Sequence, residues 1–257
     1  GPGTPICAVL DIMPGTWITS NDTTQPALDV GNLDDSSHVG IHNQGAVIAK
    51  GGDGGTGGSL SNFGNPGFGG GDAVNMTTKT TLKNNGYIFG GGGGGGSVGL
   101  GIGNIPIVGN LSLGAGGGGG AANGEGGKQG QINLPYFDAG DDATGGINGQ
   151  QGQGGEVTSA ISFSLQGATI TLTPNIIGGD GGGYGQDGGT GNAFVNVQVS
   201  VPIVGTIFNQ DFPDPPVSSF PPGGKGGNAV KRNNYPLLGG YPDGFYQTSY
   251  IKGDIGP

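Results

Sequence analysis

Seven consecutive glycines, Gly90 to Gly96, follow the apolar tripeptide Tyr87-Ile88-Phe89. Such a run has no side chain to bury and no helix propensity, and it loses more backbone freedom on folding than any other residue type. It orders only where its bare backbone packs closer than a Cβ would permit. The polyglycine II helix meets that requirement. Like polyproline II it has about three residues per turn, a rise of about 3.1 Å and no internal hydrogen bonds. Its N–H and C=O groups point outward, and once buried they need partners. Side-by-side glycine helices supply them, with Cα–H···O contacts as a minor addition. The run is therefore expected at the centre of a bundle of such helices.

Composition supports this. Of 257 residues, 66 are Gly and 17 Pro, while 32% are hydrophobic and 10% charged, against roughly half and a quarter in ordinary domains. A helical core of normal density cannot be built from this material. Glycine enrichment without a Gly-X-Y period often signals low complexity. Here the charge density is low, β-type segments separate the runs, and the interruptions within runs are single and varied, so the chain reads as ordered. A net charge of −10 with eight Lys+Arg argues against a phosphate-tracking nucleic-acid surface and against electrostatic docking on an anionic membrane. The single cysteine, Cys7, permits no intrachain disulfide and reads as a small buried hydrophobe. No apolar segment approaches the about 20 residues of a membrane helix. Gly1-Pro2-Gly3 does not resemble a signal peptide, and the absence of a starting Met together with the abrupt end at Ile255-Gly256-Pro257 suggests a piece of something longer.

The predicted fold class is mostly irregular and β: a sandwich of packed polyglycine II helices with short strands, β-hairpin insertions and long loops, and almost no α-helix. Residues 1–50 read as an opening β segment, 51–230 as the glycine bundle with its insertions, and 231–257 as an aromatic loop with a closing strand, all in one compact unit. Two junctions recur. Ile41-His42-Asn43-Gln44-Gly45-Ala46-Val47-Ile48 aligns with Leu82-Lys83-Asn84-Asn85-Gly86-Tyr87-Ile88-Phe89, each leading into a glycine run. The Asn-x-Gly corner in each suggests positive φ. Glycine runs are left through Gly71-Asp72-Ala73-Val74, Gly191-Asn192-Ala193-Phe194 and Gly227-Asn228-Ala229-Val230. Interrupting residues such as Asp53, Glu125 and Gln186 suggest helices with one side at the surface. Between runs, alternation predicts a hairpin-like insertion over 98–113, two strands around Gln166-Gly167, and a strand carrying Val195, Val197 and Val199. The tip Val201-Pro202-Ile203-Val204-Gly205 nearly repeats Ile105-Pro106-Ile107-Val108-Gly109.

The phrases LKNNGYIFGGGGGGGS (Leu82 to Ser97) and GGKGGNAV (Gly223 to Val230) resemble the glycine-rich adhesin domains at the tips of bacteriophage tail fibres. These include small adhesins capping the long fibres of T-even-like phages and carboxy-terminal domains of siphophage tail-tip proteins. Gln25 to Gly55 is closer to the second group. The resemblance covers roughly Gln25 to Val230. It implies a polyglycine II sandwich whose variable loops bind a bacterial surface receptor. The amino-terminal attachment domain of the T-even adhesins is not recognisable, which favours a fragment of a larger tail protein. The aromatic insertion with Tyr235, Tyr241, Phe245 and Tyr246 also departs from the family pattern.

Glycine-rich matches to GxGxxG lack a strand-to-helix context, and Gly223-Gly224-Lys225 lacks the spacing of a P-loop. His38 and His42, near Asp34 and Asp35, read as structural residues more readily than as metal ligands, with no Cys/His grouping beside them. Asp141-Asp142 and Asp211/Asp214 read as solvated loop acids rather than calcium ligands. With two histidines and no nucleophile elbow, no enzyme activity, cofactor or metal is expected. The candidates for receptor binding are Ile105, Pro106, Ile107, Val108, Leu134, Tyr136, Phe137, Phe212, Tyr241, Phe245 and Tyr246, each of which either packs as a satellite core or forms a contact. The expected function is a virion-borne, extracellular adhesin. Its partners are a bacterial outer-membrane protein, in preference to a surface glycan, and the remainder of a phage tail protein. The protein receptor is preferred because the loop tips are apolar and the one Trp, Trp17, lies in the opening strands. A polyglycine antifreeze protein and a structural fibre spacer are the alternatives.

Overall fold

The computed structural model describes residues 4–58, 63–105, 109–129, 144–146, 150–212, 220–238 and 251–257. Among these there is no helix. The first eight strands are β1 (Cys7–Ile12), β2 (Trp17–Thr19), β3 (Leu28–Asp29), β4 (His38–Asn43), β5 (Ala46–Ile48), β6 (Val74–Asn75), β7 (Thr80–Asn84) and β8 (Tyr87–Phe89). A second group comprises β9 (Val98–Ile105), β10 (Gly109–Ala115), β11 (Glu156–Val157), β12 (Ile161–Leu165), β13 (Ala168–Ile177), β14 (Asn192–Val201) and β15 (Gly205–Phe212). The last are β16 (Val230–Lys231), β17 (Leu237–Leu238), β18 (Ile251–Lys252) and β19 (Ile255–Gly256).

The first and last groups interleave into a three-faced prism. Its sheets are β1-β4-β7-β17, β2-β5-β8-β18 and β3-β6-β16-β19, every neighbouring pair parallel. Each coil of the chain therefore places one strand on each face, and four coils stack. Apolar residues line up across the coils in register: Leu10–Ile41–Leu82, Ile18–Val47–Ile88–Ile251, and Leu28–Val74–Val230–Ile255. Apart from Leu10, which is exposed at the outer end of the first ladder, these residues belong to one apolar core that fills the prism. The strands β16 to β19, within 230–238 and 251–256, close the same prism that residues 7–48 begin, so these two parts of the chain fold as one body.

The recurrent Asn-x-Gly corner is the turn between the first two faces. The glycines there are not at positive φ. Close stacking of coils requires them instead: a Cβ on Gly45 would come 2.9 Å from the Met13 carbonyl oxygen and nearer still to that of Thr16, while one on Gly86 would overlap the Gly45 carbonyl. The asparagines bind coil to coil. Buried Asn43 donates from Nδ2 to Asn84 Oδ1 at 2.7 Å and to the Tyr87 carbonyl at 3.1 Å, and its Oδ1 accepts the Gly45 N–H at 3.1 Å.

From the second face, coils two and three leave the prism as glycine runs and return to it at Ala73 and Ala229. The central run is saturated with inter-run bonds. Gly91, Gly94 and Ser97 donate to Gly71, Phe68 and Asn65; Gly92 and Gly95 donate to Ala121 and Gly118; Gly90, Gly93 and Gly96 donate to Lys252, Gln186 and Gly189. In return Gly227 and Gly224 donate to Gly91 and Gly94, Gly52 and Gly55 to Gly92 and Gly95, and Gly185, Gly182 and Gly179 to Gly90, Gly93 and Gly96. Every N–H and C=O from Gly90 to Gly96 is thus paired, on six sides, with a three-residue repeat. Acidic interruptions stitch neighbouring runs at the periphery. Asp53 accepts the Glu125 N–H at 2.8 Å and Asp180 the Gly154 N–H at 2.9 Å. Asp187 accepts from Lys225 Nζ at 2.7 Å and from the Gly226 N–H at 2.8 Å, bonds that hold its carboxyl below the usual range.

Beyond the bundle lies a β-sandwich. The β9–β10 hairpin packs against a sheet ordered β11-β13-β14-β15, with β12 also on β13. Alternation puts Leu100, Ile102, Leu111 and Leu113 from the hairpin against Ile170, Leu172, Val195, Val197 and Val199. The Gln166-Gly167 turn has positive φ at both residues, as a two-residue hairpin requires. Two further expectations fail. Gly191-Asn192-Ala193-Phe194 is no third copy of the return junction, since it opens β14 in the sandwich, whereas Ala73-Val74 and Ala229-Val230 lead into the third face of the prism. Cys7 is exposed, because β1 is the outer strand of the terminal coil.

Candidate functional site

The strand pairings fix which hairpin ends lie together. β9 begins where the central glycine run ends, and β14 begins at the end of the run before it. Both then run away from the bundle for eight and ten residues, about 26–33 Å at the rise of a strand. Antiparallel pairing of Leu165 with Ala168 and of Val201 with Gly205 puts the β12–β13 and β14–β15 turns at this same far end. The far ends of β9 and β10 are there too, where Ile105 pairs with Gly109. Three hairpin ends converge on one surface, opposite the prism.

Chemistry distinguishes this surface from the rest of the chain. No ionisable residue occurs from 97 to 115, 157 to 179 or 188 to 210, although the chain carries a net charge of −10. At the β14–β15 tip Ile203 is fully exposed and Val204 is 70% exposed. Ile203 also sits at φ 76°, a region where a β-branched residue is strained. An apolar side chain held in solvent on strained backbone contributes nothing to the core and is available to a partner.

The sequence candidates are distributed differently. Ile105 is buried at 2% exposure: it faces inward on β9, and its side chain belongs to the sandwich core. Phe212 is half-buried against the same core and stacks with Phe208 at 6.5 Å. Pro106, Ile107, Val108, Leu134, Tyr136, Phe137, Tyr241, Phe245 and Tyr246 lie outside the described residues. The roots of these loops are informative nonetheless. The 106–108 segment joins the far ends of β9 and β10, whereas 239–250 joins β17 to β18 on the fourth coil of the prism. Ile203 and Val204, which sequence reasoning saw only as a near-repeat of 105–108, are the exposed pair. Their signal was an apolar tip after strict alternation.

His38 and His42 project from β4 four residues apart, each with its own neighbour: Nε2 of His38 meets Thr81 Oγ1 at 2.8 Å, and Nδ1 of His42 meets Asp11 Oδ1 at 3.0 Å. Asp211 accepts a bond from Asn196 at 2.7 Å. Among the described residues no group of three or more His, Cys, Asp or Glu is placed to share a metal ion.

A family model described as "Phage tail fibre adhesin Gp38" matches residues 3–240. Among solved structures, the fold is similar to the crystal structure of the gp37-gp38 adhesin tip complex of the bacteriophage S16 long tail fiber, with TM-score 0.53 and 20% identity, covering 98% of this chain and 71% of that one. No curated protein matches.

Proposed function

Because the chain belongs to the Gp38 phage tail fibre adhesin family, and so serves attachment of the virion to its host cell, we propose that it does this through the uncharged hairpin surface at the far end of its sandwich. The observation that carries the proposal is the exposed, strained Ile203-Val204 tip among three converging hairpin ends. The loops over 106–108 and 134–137 are assigned to the same contact, with Pro106, Ile107, Val108, Leu134, Tyr136 and Phe137 as further anchors. The scaffold beneath is read as polyglycine II, a reading supported by the three-residue repeat of its donors. Preorganised tips on such a scaffold avoid ordering costs on binding. The receptor is an outer-membrane protein: the apolar, charge-free tips suit protein loops and carry no cation for an anionic sugar. No catalytic step is involved.

The test is adsorption. Purified chain should bind host cells, and binding should vanish on one member of a panel of strains each lacking a single outer-membrane protein. Ile203→Ser with Val204→Ser should weaken binding to host cells about tenfold with an unchanged melting temperature. Unchanged binding of the double variant would remove the tip from the receptor contact.

The opposite end of the molecule suits attachment to the rest of the tail. Among the described residues, β1, β2 and β3 of the first coil each carry an unpaired edge, and Ile6, Val9, Leu10 and Met13 there are exposed by 45, 62, 38 and 60%. Open parallel edges with apolar side chains invite pairing. The solved neighbour is itself a complex with a second fibre protein, and by analogy this coil is assigned to a fibre shaft protein. Val9→Asp with Met13→Asp should abolish co-purification with that protein while leaving adsorption of the isolated chain to cells unchanged. Retained co-purification would refute the assignment.

A further inference from the structure

A groove runs along the outer side of the second prism face. The register places Trp17, Ala46 and Tyr87 in one row across three coils, and Thr19, Ile48 and Phe89 in the next. Adjacent coils are about 4.8 Å apart, so Trp17 and Tyr87 rise about 9.6 Å apart on either side of the small Ala46. Trp17 is 69% exposed and Tyr87 45%. Ala46 and Ile48, both buried, form the floor. The glycine bundle closes the third side with Ala122, Asn123 and Tyr184, whose ring packs on Phe89 at 4.6 Å. The volume of the groove, which is open to solvent, is about 510 Å³, within the range of small-ligand sites.

A cation stands beside the groove, in register with Phe89 on the fourth coil. Lys252 Nζ lies 5.3 Å from the centre of the Phe89 ring and 5.8 Å from that of Tyr184. Among the described residues no carboxylate is paired with it, in a chain with 18 acidic residues and eight Lys+Arg. Desolvation of an ammonium over two rings is offset in part by cation–π attraction, and an anion brought to it would gain a charge-assisted bond.

We propose that this groove binds one sugar ring bearing a carboxylate or phosphate, as a second contact with the bacterial surface, separate from the hairpin tips. The C–H face of a pyranose is apolar and packs on aromatic rings. Its ring sits between Trp17 and Tyr87 over Ala46, its hydroxyls meet Thr19 and Asn123 at the rim, and its anionic group pairs with Lys252. Charge complementarity selects this occupant. A proline-rich peptide would use the aromatic walls and leave the lysine without a role.

Trp17 is the sole tryptophan, so its emission reads the groove directly. The full chain is titrated with glucuronate, glucose 6-phosphate, glucose and a proline-rich peptide. The expected result is a saturable change with both anionic sugars, at least fivefold weaker with glucose. Lys252→Gln, at an exposed position, should equalise the three sugars without moving the melting temperature, and Tyr87→Ala should weaken all of them. The proposal falls if no sugar gives a saturable change, if the anionic preference survives in Lys252→Gln, or if the peptide binds more tightly than the sugars. None of these outcomes bears on the tip assignment, which is read by adsorption in the Ile203 and Val204 variant.

Discussion

Gly94→Ala should abolish or severely weaken folding, although it adds one methyl group and the substitution is helix-favouring elsewhere. A Cβ at Gly94 would overlap the carbonyl oxygen of Asp53 and stand 2.9 Å from the Gly54 nitrogen. Overpacking of an ordinary core costs about 1–3 kcal/mol because side chains shift to make room. Here both obstacles are backbone. Moving residues 52–55 away strains the bonds from Gly52 to Gly92 at 2.8 Å and from Gly55 to Gly95 at 2.9 Å, together with those that Gly52 and Gly55 accept from Gly120 and Gly117. The expected loss is at least about 3 kcal/mol, a fall in melting temperature of about 6–12 °C for a chain of this size, or failure to recover soluble protein. Gly69→Ala is the matched comparison. Its Cβ would find only the Lys225 carbonyl oxygen, at 3.5 Å, and its φ is not positive. That variant should melt within about 4 °C of the parent, since a compatible Gly→Ala change contributes up to about 1 kcal/mol through the unfolded chain. Equal losses in the two variants would show that close backbone packing is not what the glycines of the bundle supply.

That contrast also marks what a sequence can disclose about such a molecule. The glycine tract reveals its own environment, because a stretch without side chains has few ways to be ordered. Period-two patterns likewise reveal β14, whose Val195, Val197 and Val199 are all buried. The prism was hidden for two physical reasons. Its third face consists of two-residue strands such as Leu28–Asp29 and Val74–Asn75, too short to show alternation. Its third coil is interrupted between Phe89 and Val230 by most of the bundle and the whole sandwich, so the repeat of Asn43-Gln44-Gly45 at Asn84-Asn85-Gly86 looked like a doorway to glycine helices when it is the corner of stacked coils. Trp17 was unreadable on the same ground: Ala46, Tyr87 and Ala122, which line the groove with it, come from three other passages of the chain. Ile105 misled by position, as an apolar residue beside a loop tip still obeys the inward phase of its strand. The exposure of Cys7 depends on β1 being terminal, a property of the stack and not of the segment.

The corner itself yields the second large effect. Asn43→Ala should cost about 3 kcal/mol, more than a hundredfold in the folding equilibrium, whereas Asn85→Ala in the same turn should cost under about 0.5 kcal/mol. The Asn43 side chain is fully buried and makes three bonds, two to the next coil at Asn84 Oδ1 and the Tyr87 carbonyl and one to the Gly45 N–H of its own corner. Its removal takes one hydrogen bond from each of those groups, and leaving a buried polar group short of a bond costs about 1–3 kcal/mol. Asn85 is exposed, and its backbone N–H, which donates to the Asn43 carbonyl at 2.7 Å, survives truncation of the side chain. Urea denaturation of the two variants separates these cases. Matching midpoints would mean that the apolar ladders alone hold coils two and three together. A selective loss in Asn43→Ala would show that the prism depends on a polar clasp at its corner, in keeping with an interior where backbone and amide groups replace much of an ordinary hydrophobic core.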